Sequence, residues 1–116
     1  MSFDAVVEMA IQAKGLTAPR VTLEDVGDEI VSEHYFNAGD AVTAPDGSVP
    51  SGYDALRLLT FCVLVLRNGF TVTGESACAS PENFDAGIGR KIARQNAVQK
   101  IWPLLGFRLR DKLAAK

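Results

Sequence analysis

The stretch LTFCVLVLRNGFTVTGES, Leu59 to Ser76, contains two extended runs on either side of Asn68-Gly69. Asn-Gly is the favoured pair for a two-residue type I′ turn, so the sequence predicts a β-hairpin here. The first run is apolar at nearly every position, which predicts a central strand covered on both faces. The second run alternates, with Phe70 and Val72 on one side and threonines on the other. It predicts one buried face and one polar face.

A helix is expected to follow the hairpin. It can begin at Ser80, where the next residue is proline, or at Asn83 or Asp85 after a separate turn. It is expected to continue to Trp102, because Pro103 cannot extend it. One face of the helix carries Phe84, Ile88, Ile92 and Trp102, and a second, small-residue face carries Ala86, Ala93, Ala97 and Ile101. Two apolar faces predict a helix sandwiched between the sheet and another helix or subunit.

The segments on either side complete an α+β prediction: a small antiparallel sheet built on a central hairpin, packed by a long helix of the C-terminal half, with two N-terminal helices. The first N-terminal helix covers 3–14, and Thr22 begins a second that reaches about Tyr35. Its buried stripe would consist of Val26, Ile30 and either Val31 or His34, with His34 as a packed or interfacial histidine rather than a ligand. Residues 37–53, rich in Gly, Pro, Asp and Ser, predict a long loop with a turn at 45–47. Residues 104–113 end the chain, as a helix or with a short strand over 105–109.

The length of 116 residues predicts a single domain with an acidic helical part (1–36), a loop (37–55) and a core (56–116). Residues 1–56 carry ten acidic and two basic side chains, whereas residues 57–116 carry ten basic and four acidic ones. This asymmetry predicts either a C-terminal half that handles anions or two halves that attract each other. The pI near 5.3 argues against binding to duplex nucleic acid.

The composition offers little for catalysis or for membranes. A single histidine, His34, and two cysteines without CxxC spacing make a catalytic histidine, a metal site or a cofactor unexpected, so the chain is predicted not to be an enzyme. No apolar run approaches the roughly 20 residues that cross a bilayer. The start of the chain lacks the basic and apolar pattern of a signal peptide, so the cytoplasm is the expected location.

A binding site is better supported, at the start of the helix that follows the hairpin. Backbone N–H groups at a helix start suit a phosphate, Asn83 can recognise a polar edge, and Phe84 can stack on a base. Arginine side chains of the C-terminal half can donate bidentate hydrogen bonds to phosphate; they are Arg90, Arg94, Arg108 and Arg110. The alternative is that Phe84 belongs to the core, Asn83 caps the helix and the arginines are solvated.

Residues 61–110 combine an NGF hairpin, an SPENFD turn, "IG" and "A" positions on the next helix and IWPLLGFRL near the end. In these motifs the chain resembles a family of small phage and prophage proteins without enzymatic motifs. The same pattern resembles the anti-Thoeris sponge proteins of phages, homo-oligomers that sequester cyclic ADP-ribose isomers. Some of these proteins also take up cyclic di- or trinucleotides.

The resemblance implies a homo-oligomer that binds a cyclic nucleotide signal in pockets at subunit interfaces. Phe84 would then stack on adenine, and the other ligand-binding residues would be Asn83, Arg90, Arg94, Asn96 and Arg108 or Arg110, with Arg57 and Arg20 as further candidates. A module that presents its acidic helices to a host or phage protein is the alternative function. Binding of single-stranded nucleic acid through Phe84 and the arginines is a third.

Overall fold

The computed structural model describes residues 2–115 and shows an α+β fold with one three-stranded sheet. The elements run in the order α1 (Phe3–Ala13), α2 (Leu23–Glu29), β1 (Ile30–Asn37), α3 (Ala38–Ala41), α4 (Tyr53–Leu56), β2 (Leu59–Leu66), β3 (Thr71–Ala77), a 3₁₀ turn (Pro81–Asn83), α5 (Ala86–Gln99) and α6 (Ile101–Ala114). None of the helices within this range is long and apolar enough to cross a membrane.

The sheet has the order β1-β2-β3 with both pairs antiparallel, so β2 is the central strand, as predicted. Asn37 lies opposite Thr60 at one end of the β1–β2 ladder, and Cys62 lies opposite Gly74 in the β2–β3 ladder. The side chains of β2 alternate between fully buried and half-buried positions. The helix α5 therefore covers one face of this strand and leaves the other less enclosed.

The hairpin between β2 and β3 is confirmed, but its predicted turn type is wrong. Gly69 N–H donates to the Leu66 carbonyl (2.9 Å), and Leu66 N–H donates to the Phe70 carbonyl (2.8 Å), which encloses a three-residue loop. Gly69 has a φ of +87°. Among the described residues only glycines have a positive φ, so Asn68 does not have one. A type I′ turn needs positive φ at both central positions. The loop is therefore a type I turn with a glycine bulge, and the Asn68 side chain accepts from Phe70 N–H (2.9 Å).

The prediction of a second helix that reaches Tyr35 is wrong. Thr22 does cap α2 in a capping box with Asp25, with hydrogen bonds of 3.0 and 2.9 Å, but the helix ends at Glu29. Residues 30–37 form β1 because they contain β-branched and aromatic side chains and because the backbone of β2 needs a second partner. The N-terminal part of the chain is consequently not all helical.

His34 lies on this strand rather than in the stripe of a helix. The residue is exposed, and its Nε2 atom is 3.0 Å from the Ser32 hydroxyl. The prediction that His34 packs in the stripe of a helix is therefore wrong, and the alternative of an interfacial histidine stays a prediction.

The long loop predicted over 37–53 is interrupted by two short helices. Asn37 caps α3 by accepting from Gly39 N–H (2.9 Å), and α4 begins at Tyr53. The remaining loop contains the turn predicted at Pro45, since Gly47 N–H donates to the Ala44 carbonyl (2.8 Å). The two short helices bring the chain from β1 to the start of β2.

Two helices, α5 and α6, replace the single long helix and the tail. Asp85 caps α5 by accepting from Ile88 N–H (2.8 Å), after a separate 3₁₀ turn, which confirms one of the predicted alternatives. The helix ends at Gln99, three residues before the expected end at Trp102. Pro103 lies in the first turn of α6, where a helix has no partner for a backbone N–H. The alternative of a strand over 105–109 is wrong, since α6 continues to Ala114.

The small-residue face of α5 forms the contact with the sheet. Ala93 and Ala97 of α5 and Ile101, the first residue of α6, are fully buried and pack with Cys62 and Leu64 in the core, whereas Ala86, predicted on the same face, is exposed. The opposite face of α5 is not sandwiched within the described chain, because Ile88 is 57% and Ile92 47% exposed.

The charge asymmetry of the sequence is partly neutralised within the fold. Glu29 pairs with Arg108 (3.1 Å) and Arg67 (3.6 Å), and Glu33 pairs with Arg94 (2.8 Å). Each of these ion pairs joins an acidic residue of the first half to a basic residue of the second. Attraction between the two halves therefore occurs inside one chain.

Candidate functional site

A cavity of about 260 Å³ lies where β1 ends and β2 begins, beside the start of α5. The register explains its place, since Asn37 and Thr60 are the last pair on this side of the β1–β2 ladder. The residues around it are mostly polar or aromatic: Tyr35, Phe36, Asn37, Asp40, Arg57, Thr60, Phe84, Ala86 and Arg90. They come from three stretches of the sequence, 35–40, 57–60 and 84–90, which the sheet and α5 bring together.

Arg57 is held in this cavity by the segment that follows β1. The Asn37 side chain donates to the Arg57 carbonyl (2.7 Å) and accepts from Gly39 N–H. A Cβ atom at Gly39 would lie 2.6 Å from the Arg57 Cγ atom, so glycine leaves the space that the arginine stem occupies. The guanidinium carbon lies 5.9 Å from the centre of the Tyr53 ring, a cation–π distance.

Phe84 and Arg90 reach the cavity from the two sides of the α5 N-cap. Phe84 follows the 3₁₀ turn, donates its N–H to the Pro81 carbonyl (3.2 Å) and is half-buried. A second cavity, of about 360 Å³, is lined by Asp54, Arg57, Leu58, Pro81 and Phe84. Arg57 and Phe84 line both cavities, so one arginine and one aromatic ring lie between the two spaces.

Tyr35 lines the cavity, and its hydroxyl is bonded to Glu33, which is not among the lining residues. The Tyr35 hydroxyl donates to the Glu33 carboxylate (2.8 Å), which also accepts from Arg94. Burial, followed by this hydrogen bond, raises the pKa of Tyr35 to about 12. The hydrogen bond from Arg94 lowers the pKa of Glu33, which keeps the carboxylate charged.

We expect a tyrosine ionisation step at about pH 12 in the wild-type protein, and its loss in Tyr35→Phe. A tyrosine in an unfolded chain ionises near pH ~10, so the folded state holds this proton more tightly. The corresponding stability is complete below about pH 10 and is lost as the pH rises through the folded pKa. Tyrosinate absorbance against pH measures the step, and a wild-type curve without it would contradict the assignment.

The structure brings Phe84 and Arg90 into the cavity, together with the further candidate Arg57, whereas the other further candidate, Arg20, pairs with Glu8 (2.6 Å). Asn83 is exposed in the 3₁₀ turn, and Arg110 is exposed on α6. The others have partners elsewhere: Arg94 pairs with Glu33, the Asn96 side chain donates to the Glu75 carbonyl (2.8 Å), and Arg108 pairs with Glu29. Their roles in ligand binding stay predictions.

Arg108→Met is expected to lower the free energy of unfolding by about 1–2 kcal/mol, because Glu29 is 3% exposed and would lose its two hydrogen bonds from Arg108. The effect is smaller than for a fully buried pair, since Arg67 remains 3.6 Å from the carboxylate. Arg110→Met, on the exposed side of the same helix, is the control and should change stability by less than about 0.5 kcal/mol. Urea denaturation measures both, and equal effects would contradict a structural role for Arg108.

Several cavity residues are not among the predicted binding residues, because the sequence pattern places Tyr35 at the end of a helix and places Asn37 and Asp40 in a long loop. Tyr35, Phe36 and Asn37 belong to β1, and Asp40 follows in α3. The sequence does carry a signal for β1. The apolar pattern of β2 predicts a central strand, which needs two neighbouring strands, and the hairpin supplies only one. In the described part of the chain, no three His, Cys, Asp or Glu side chains are grouped to hold a metal ion.

The sequence model of a phage protein family, described as N4 Gp49/phage Sf6 gene 66, matches residues 21–113. This range contains the sheet, α5, nearly all of α6 and every residue that lines the 260 Å³ cavity, whereas α1 lies outside it. No curated protein and no solved structure shows a significant match to the chain. Because the match covers well over half of the sequence, the chain belongs to the N4 Gp49/phage Sf6 gene 66 family of phage proteins.

Proposed function

We propose that this phage protein binds a cyclic nucleotide signal, a cyclic ADP-ribose isomer or a cyclic oligonucleotide, and sequesters it without cleavage. Sequestration in the host cytoplasm would keep the signal from a defence effector. The observation that carries the proposal is the meeting of Phe84, Arg57 and Arg90 in one cavity. The resemblance of the SPENFD turn to that of anti-Thoeris sponge proteins points to the same ligand class.

The chemistry of the cavity wall suits a nucleotide. An aromatic ring offers a stacking surface to a base, and two guanidinium groups offer planar pairs of donors to phosphate oxygens. The Asp40 carboxylate adds acceptors for ribose hydroxyls or exocyclic amines, whereas the Asn37 amide is already bonded to Arg57 and Gly39. A cavity with donors only would suit inorganic phosphate equally well, so the acceptors and the aromatic ring favour a nucleotide.

The size of the cavity sets how much of the ligand one chain can enclose. Its volume of about 260 Å³ lies near the lower end of ligand pockets, roughly 300 Å³. One nucleoside unit fits that space, and the adjoining cavity of about 360 Å³ shares Arg57 and Phe84. The proposal therefore includes a homo-oligomer, in which a second chain encloses the rest of the ligand.

Binding without reaction is proposed because the described lining of the cavity offers polar recognition rather than a nucleophile with its base. Thr60 is 5% exposed, and it has no histidine or cysteine beside it among the lining residues. The test is to incubate the protein with each candidate ligand, remove unbound ligand, denature the protein by heat and chromatograph what is released. Unaltered ligand in stoichiometric amount supports sequestration, whereas a converted product would show an enzyme.

A protein-interaction module is the second candidate, and α1 is the feature that favours it. The outer face of α1 exposes Phe3 (77%), Val6 (51%) and Met9 (56%), and no residue of this helix is buried. In this case a partner protein would bind α1 and the acidic α2, and Phe84→Ala would leave the interaction intact. Charge reversal at Glu24 and Asp25 would weaken the protein interaction. A nucleotide site predicts the opposite: Phe84→Ala weakens binding, and changes to Glu24 and Asp25 have little effect.

A further inference from the structure

The helix α1 buries less of itself than the two other long helices of the protein. None of its residues is buried, whereas α5 and α6 both bury residues in the core. The sequence model of the phage family begins at residue 21, after the end of α1. The part of the chain that the family shares, with the sheet and the helices that cover it, therefore does not include α1.

The contact beneath α1 is loosely packed. A cavity of about 230 Å³ lies there, lined by Phe3, Val7 and Ile11 on the helix and by Val21 and Trp102 on the rest of the chain. Atoms that border a void lose dispersion contacts on that side. The apolar attraction between α1 and the core is consequently weaker than close packing would make it.

Two polar contacts beside this cavity hold α1 in place. The Arg20 guanidinium donates to both oxygens of the Glu8 carboxylate (2.9 and 2.6 Å), and the Gln99 side chain donates to the Asp4 carboxylate (3.0 Å). The hydrogen bond from Arg20 lowers the pKa of Glu8 to about 2, so the pair is charged at neutral pH. We call the pair of Glu8 and Arg20 the latch.

The connection between α1 and α2 permits α1 to leave. Residues 12–19 are all exposed, and they include Gly15, which has a φ of +66°, and Pro19. Opening of the latch strands no buried charge, because Glu8 would move into water and Arg20 lines a second cavity beside the Asp25 carboxylate. Separation of α1 therefore costs neither core packing nor a buried ion pair.

We propose that α1 is a detachable strap, which undocks as a unit while residues 21–115 stay folded. The latch favours the closed state, and the open state exposes the inner side of α1 and the part of the core around Val21 and Trp102. The equilibrium between the two states thus controls when these apolar surfaces are accessible. The inference is independent of the proposed function, because α1 lines neither of the cavities that Phe84 lines.

Hydrogen exchange of the backbone amides of the full chain, followed by NMR, tests the strap. After correction for intrinsic rates, amides of α1 should exchange at least about a hundredfold faster than those of α5, because α5 opens only with the core. Glu8→Gln removes the charge of the latch and should speed exchange in α1 by a further factor of about three to ten, with no change in α5. Glu82→Gln removes the same charge from the 3₁₀ turn, at the opposite end of α5 from Gln99, and should change neither helix.

A matched pair of variants distinguishes undocking from fraying of the helix. Ile11→Ala and Val6→Ala both replace a β-branched residue by alanine, which favours a helix to a similar degree. Ile11 lines the cavity beneath α1, whereas Val6 is 51% exposed. Undocking predicts faster exchange of the α1 amides in Ile11→Ala and no such increase in Val6→Ala.

Two results would overturn the proposal. Exchange of the α1 amides in step with those of α5 would mean that α1 leaves only when the whole chain unfolds. An equal response of α1 to Ile11→Ala and Val6→Ala would mean that its contact with the core does not control the opening.

Discussion

Gly74→Ala should lower the free energy of unfolding by about 3 kcal/mol and the melting temperature by about 10 °C. A Cβ atom at this position of β3 would overlap the Ala93 carbonyl oxygen and the Ala97 backbone nitrogen of α5. Both are backbone atoms, so no side chain can rotate away and the helix itself must move. Differential scanning calorimetry and urea denaturation measure the two quantities.

Gly27→Ala is the matched control, with the opposite expected sign. Gly27 lies in α2, where a Cβ atom would meet no atom within 4 Å beyond the helix itself. Alanine is preferred to glycine within a helix by about 0.5–1 kcal/mol, so this variant should be slightly stabilised. A Gly74→Ala protein with wild-type stability would show that α5 does not lie against β3 as closely as described.

The prediction from sequence was most accurate where a pattern is local. The Asn-Gly pair and the apolar runs beside it are enough to predict the hairpin, and neighbouring residues identify Thr22 as a helix cap and Asp85 as one of three possible helix starts. The helix predicted through Tyr35 was wrong because the apolar positions from Val26 onward fit a helical period as well as a strand. What decides between them is the unpaired edge of β2, and that is a non-local contact.

The residues of the candidate site divide in the same way, into those that a local pattern predicts and those whose surroundings depend on non-local contacts. Phe84 and Arg90 could be predicted, because Phe84 lies within the SPENFD turn and Arg90 follows it closely in sequence. The environments of Arg94 and Arg108 could not, because their partners, Glu33 and Glu29, are more than 60 residues away in the chain. Arg57 reaches the cavity through contacts with Gly39 and Asn37, which lie on the far side of the 42–52 loop.

Phe84→Ala should weaken nucleotide binding more than any other single change at the cavity. Loss of a stacking ring costs about 1–3 kcal/mol, so we expect the dissociation constant to rise roughly tenfold to one hundredfold. Phe84 is half-buried and contributes to stability, so the variant must be checked for folding by thermal denaturation. Phe107→Ala is the control: this phenylalanine is 73% exposed on α6, outside both cavities that Phe84 lines, and its removal should leave affinity unchanged.

Isothermal titration of the wild-type protein with cyclic ADP-ribose isomers and cyclic di- and trinucleotides tests the central claim most directly. The proposal predicts saturable, stoichiometric binding of at least one of these ligands, which is weakened in Phe84→Ala and retained in Phe107→Ala. Absence of binding across the panel by folded wild-type protein, or equal binding by the two variants, would contradict it.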